Sequence, residues 1–67
     1  MKNNFSKKPI FINKQEFEIA KNMLLSGKLK KNDRFVVMDI CNSFVKKQPV
    51  CLSSFICFCA IYDELTS

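Results

Sequence analysis

From Pro49 to Tyr62 the chain reads PVCLSSFICFCAIY, with no charged side chain. This run falls short of the roughly 18–20 apolar residues that a membrane-spanning helix needs. Wound into a helix over 50–64, it turns Phe55, Ile56, Phe58, Cys59, Ile61 and Tyr62 in every direction and keeps no polar flank. The alternative is a strand over 55–62, whose only local partner would be residues 10–12, and a lone two-stranded ribbon is marginal in water. A helix is therefore expected, and a helix without a wet side has to be surrounded. Two further short helices cannot enclose it completely; the alternative is a tight monomer in which Ser53, Ser54, Asp63 and Glu64 form just enough polar edge. Each exposed large apolar side chain forfeits about 1.5–3 kcal/mol of burial, so the pattern predicts a homodimer or another protein partner, docked on Phe55, Phe58, Ile61 and Tyr62.

The rest of the chain is read from its helix signals. Asn13 can cap a helix, Glu16 completes a capping box three residues on, and Ile12 can staple onto Phe17. At 100° per residue Phe17, Ile19, Ala20, Met23 and Leu24 share a face, opposite Lys14, Glu18, Lys21 and Asn22, and Gly27 is a natural stop. This predicts a first helix over 13–26. Asn32 or Asp33 can cap a second, over 33–47. There Val37, Met38, Ile40, Cys41, Phe44 and Val45 form a broad apolar arc, across from Asp39, Asn42, Ser43 and Lys46. Pro49 ends it. Residues 1–9, MKNNFSKKP, are polar and basic and are expected to form a flexible tail. The expected architecture is thus a single all-α, three-helix domain over residues 10–67.

The formal net charge of +5 sits in the front half: residues 1–34 carry nine Lys or Arg against three acids. The cluster Lys28, Lys30, Lys31 and Arg34 lies between the first two helices, where a helix-turn-helix would place cations near phosphate. The intervening connector nevertheless reads longer than the 3–4 residues of that motif. Phe, Tyr, Met, Ile, Asn and Lys make up 33 residues, against 6 for Gly, Ala, Arg and Pro, the bias of AT-rich coding. Such coding inflates Lys without reference to a ligand and fits a phage or mobile-element origin. Ten Lys to one Arg also argues against specific base reading, which Arg performs best.

Catalytic chemistry finds little purchase. There is no His, no Gly-rich phosphate loop and no nucleophile motif. The cysteines, at 41, 51, 57 and 59, lack the paired short spacing of zinc knuckles, and no charge stands beside them to depress a thiol pKa. No metal or cofactor is expected. The opening residues contain no apolar run of signal-peptide length, so an intracellular protein is expected, and in that compartment thiols stay reduced, so four Cys do not imply two disulfides. By elimination the sequence predicts a cytoplasmic, non-enzymatic regulator or inhibitor that works by binding protein. A small basic DNA- or RNA-binding regulator using Lys28, Lys30, Lys31 and Arg34 is the alternative.

Overall fold

The computed structural model describes residues 9–67, and their order is β1 (Pro9–Ile10), α1 (Lys14–Ser26), α2 (Lys31–Lys46), β2 (Val50–Cys51) and α3 (Leu52–Thr66). The chain is an all-α, three-helix domain with one minimal β pairing. Of the tail expected over 1–9, all but Pro9 lies outside the described residues, and Pro9 is already in β1.

α1 begins as its sequence dictates. The Asn13 side chain accepts from the Glu16 amide at 2.8 Å, and the Glu16 carboxylate accepts from the Asn13 amide at 2.9 Å. Two amides that the helix start would orphan are thereby satisfied. Gly27, at φ 72°, ends the helix in the left-handed region. The connector that follows is shorter than expected. Leu29 turns into the core while Lys28 and Lys30 turn out, and α2 starts directly afterwards, with Lys30 at its N-cap position and no side-chain cap. Asn32 and Asp33, the expected caps, lie inside the helix. Burial of Leu29 draws the connector tight and leaves no slack for a later start.

α2 closes with its C-terminal carbonyls satisfied by two backward bonds, Lys47 N–H to Phe44 O and Gln48 N–H to Ser43 O. That arrangement needs a left-handed residue, and Lys47 supplies it at φ 58°. Pro49 follows, and Val50–Cys51 runs extended, antiparallel to Pro9–Ile10, with Ile10 opposite Val50. This pairing claims residues 50–51, so α3 starts at Leu52 and not at 50. Residues 55–62, for which a strand was the alternative, are helical.

The helices run up, down and up. Phe17 near the start of α1 stacks on Phe44 near the end of α2, with ring centroids 4.6 Å apart. By rise per residue these rings sit roughly 15 and 20 Å from the connector. Helices crossing at the 90–120° of a helix-turn-helix would hold them roughly 25 Å apart, so α1 and α2 form an antiparallel hairpin. Tyr62–Thr66 of α3 face Ile19–Ser26 of α1 across a cleft, which sets α3 parallel to α1.

The core is Ile12, Ala20, Met23, Leu29, Val37, Ile40, Val50, Phe58 and Ile61, with Val37 and Ile40 fully enclosed. α3 proves less uniform than its letters suggest. Phe55, Phe58, Ile61 and Leu65, at helical spacing, point inward, and Ser53, Ile56, Cys57, Ala60, Asp63 and Glu64 are exposed. Its bulky rings take the inner side and its small thiols and Ala60 the outer one. Ser43, expected on the polar side of α2, is buried.

Two substitutions test the helix ends. Lys47→Gly removes a left-handed strain and raises the urea midpoint, by up to about 1 kcal/mol in stability, whereas Gly27→Ala lowers it by about 1 kcal/mol. A Cβ at Gly27 meets nothing within 4 Å, so that loss is purely backbone. In the same assay Ile40→Ala removes about 2–5 kcal/mol.

Candidate interaction surface

Two sets of residues stand out in the sequence, and the structure separates each of them. Phe58 and Ile61 are core, at 3% and 8% exposure, and cannot be an interface while the domain is folded. Phe55 is half-buried, its ring 6.1 Å from that of Phe58. Of the four only Tyr62, at 38%, offers substantial surface. Phe58 and Ile61 therefore need no outside cover, being buried within the chain where α3 packs on α2 and the two short strands, while Phe55 is covered in part and Tyr62 little. Lys28, Lys30, Lys31 and Arg34 are all exposed and gather at the connector end. Lys46 and Lys47 lie one helix length away, roughly 24 Å.

Other apolar side chains are unsealed as well: Phe11 before α1, Leu25 on α1, Ile56 on α3, and a line of three on α2. Val37, Ile40 and Phe44 face inward, so the helix period turns Lys31, Phe35, Met38, Asn42 and Val45 to the opposite side. Phe35 is 62% exposed, Met38 41% and Val45 67%. Their spacing from Lys31, four-three-four-three, is that of a coiled-coil seam. The sequence signal was available in that spacing. It was hidden because Met38 and Val45 blend with the inward residues into one wide arc, and Phe35 falls outside it. The antiparallel register of Phe17 on Phe44 brings Leu25, 75% exposed, to the level of Val36, between Phe35 and Met38 along the axis.

Charge borders this stripe. Lys31 extends it at the connector end, Arg34 flanks one side, and Asp39 and Lys46 flank the other. Lys30, Lys31 and Arg34 also crowd the N-terminus of α2, where the macrodipole disfavours cations by about 0.3–1 kcal/mol each. Asp33 is the only acid in that turn.

A second feature is the cleft between α1 and α3, 310 Å³ in volume, with Ile19, Met23 and Leu65 as its apolar wall and Lys28 and Tyr62 at its rim. Two of its hydroxyls are already engaged: Ser26 donates to Met23 O and accepts from the Lys28 amide, and Thr66 donates to Tyr62 O.

The four cysteines are free thiols in three environments. Burial pushes Cys41 up, opposed by Lys21. Burial also raises Cys59, helped by Asp63 and Glu16. Cys51 behaves oppositely. It stands exposed at the start of α3, and the hydroxyls of Ser53 and Ser54, each 3.3 Å from Sγ, lower its pKa to about 7. No charge neighbours Cys51 in sequence; the two serines reach its sulfur because the helix start folds them back onto it. Among the described residues no three His, Cys, Asp or Glu side chains converge as a metal site would require. Among the same residues no helix is long and apolar enough to cross a membrane.

No protein-family description, curated protein or solved structure matches this chain.

The thiol assignment is open to direct measurement. Alkylation by iodoacetamide, followed site by site by mass spectrometry, has its midpoint near pH 7 at Cys51, with Cys41 and Cys59 reacting only at higher pH. Ser53→Ala combined with Ser54→Ala moves the Cys51 midpoint up toward the ordinary 9.0, because the bonds that favour the thiolate are gone. An unchanged profile in that double variant refutes the assignment.

Proposed function

We propose that this protein is a small non-enzymatic binding module, a regulator or inhibitor of the kind phage and accessory genomes encode, that docks another protein on the outward side of α2. The observation that carries the proposal is the stripe Phe35, Met38 and Val45, 41–67% exposed and in line along one helix. Each such side chain left in water forgoes about 1.5–3 kcal/mol of burial. A 67-residue domain has little stability to forgo, and contiguous apolar surface of this kind marks interaction sites. Tyr62, from the originally expected set, belongs to a separate surface at the α1–α3 cleft. Four free thiols are in keeping with a cytoplasmic setting.

The alternative, a nucleic-acid binder using Lys28, Lys30, Lys31 and Arg34, is served less well. The antiparallel hairpin lays α1 along α2, so α2 does not project as a recognition helix does. A homodimer built on the rings of α3 loses its main contacts, since Phe58 and Ile61 are already used within one chain.

The test uses a surface residue where the sequence alone would have chosen a core one. Phe35→Asp leaves the circular dichroism spectrum and urea midpoint near wild type, yet abolishes retention of the host protein captured by the immobilised wild-type chain. Phe58→Asp unfolds the domain, because it buries an unpaired charge. Capture that survives Phe35→Asp and Met38→Asp overturns the proposal.

A further inference from the structure

We infer that the occupant of the α2 stripe is an acidic amphipathic helix of another protein, its apolar stripe laid along Phe35, Met38 and Val45 and its carboxylates meeting Lys31, Arg34 and Lys46. This deepens the binding-module proposal and rests on it. From Phe35 to Val45 the exposed apolar side chains span ten residues, or roughly 15 Å of helix, and they recur at four-three spacing around the polar Asn42. A straight row of knobs at that interval is matched by a second helix offering the same interval in return.

The border selects the partner's charge. Around the stripe stand three cations and one acid, Asp39, and Lys28 and Lys30 add two more cations at the connector end. The uncapped N-terminus of α2 contributes further positive potential there. Carboxylates flanking a partner's stripe meet opposite charge at both ends of the contact, and rim charges of this sort set partner choice and association rate.

A second copy of the chain does not supply that complement. Paired antiparallel at full overlap, Lys31 and Arg34 of one α2 approach Lys46 of the other; paired parallel, each cation meets itself. A nucleic acid satisfies the cations and leaves Phe35, Met38 and Val45 without an apolar counterpart.

The experiment titrates two stapled helical peptides into the isotope-labelled full chain. Both carry the same leucine stripe at four-three spacing, one bordered by Glu and the other by Lys. The Glu-bordered peptide shifts the amide resonances of Phe35, Met38, Asn42 and Val45 and binds about tenfold tighter than the Lys-bordered one at low salt, as three rim ion pairs provide. The gap narrows at high salt. Lys31→Glu with Arg34→Glu reverses the preference without unfolding α2, since both changes favour its dipole. Equal affinities, a preference for the Lys-bordered peptide, or shifts confined to the α1–α3 cleft each overturn the inference. If charge makes no difference while host-protein capture still depends on Phe35, the acidic partner fails and the binding module stands. A dimer in sedimentation that disappears with Phe35→Asp assigns the stripe to a second copy and likewise overturns the inference.

Discussion

Val37 and Ile40, fully enclosed on the inner side of α2, are the contact on which both other helices close. α1 reaches it with Ala20 and Met23, and α3 with Phe58 and Ile61. Because one helix is shared, α1 and α3 need not meet closely, and the cleft between them is what remains. The ends are sealed by residues outside the helices: Leu29 at one, Ile12 and Val50 at the other. The two-residue pairing of β1 with β2 fastens the arm before α1 to the linker before α3. Such a ribbon is not stable alone, and it holds because Val50 is packed in the core.

The same contact decides what faces solvent. Once Val37 and Ile40 are inward, a 100° step per residue leaves no freedom for Phe35, Met38 and Val45, which must lie outside. The alternation through Lys28, Leu29 and Lys30 works the same way in extended chain: burying the leucine commits both lysines to the surface. The basic border and the apolar stripe are thus consequences of core packing, held rigidly by a helix and not by a mobile loop. That rigidity is what a recognition surface requires, since little ordering entropy remains to be lost on binding.

Local signals in the sequence translate well and long-range ones do not. The Asn13–Glu16 box joins residues three positions apart and the Gly27 stop is a single residue, so α1 is readable from its letters. The start of α2 is not, because Leu29 burial outweighs the caps offered by Asn32 and Asp33. Lys47 in the left-handed region defies its own preference to satisfy the carbonyls of Ser43 and Phe44. The β pairing joins residues some forty apart in sequence, beyond any periodicity. The surface was misread for a related reason. Phe58 and Ile61 look surplus only while α3 is considered alone, and they become core, with Phe55 half-buried beside them, once α3 packs on α2. Conversely, Met38 and Val45 look like core in a helical projection that does not know where its centre of burial lies.

The N-terminus of α2 remains the place where local physics and sequence disagree most. A helix start favours an acceptor at its cap and acids in its first turn, yet this one has Lys30, Lys31 and Arg34 and no side-chain cap. AT-rich coding explains an abundance of lysine but not Arg34, the chain's single arginine. The penalty is tolerable because it totals a few kcal/mol at most, whereas the buried Leu29, Val37 and Ile40 that anchor the same turns contribute about 1.5–3 kcal/mol each. Local choices that oppose the fold while the core holds it in place are characteristic of functional surfaces. Here the disfavoured cations lie at the mouth of a helix face that carries unsealed phenylalanine, methionine and valine in a line, so the proposed anionic, amphipathic partner would relieve the charge and the exposed apolar surface together.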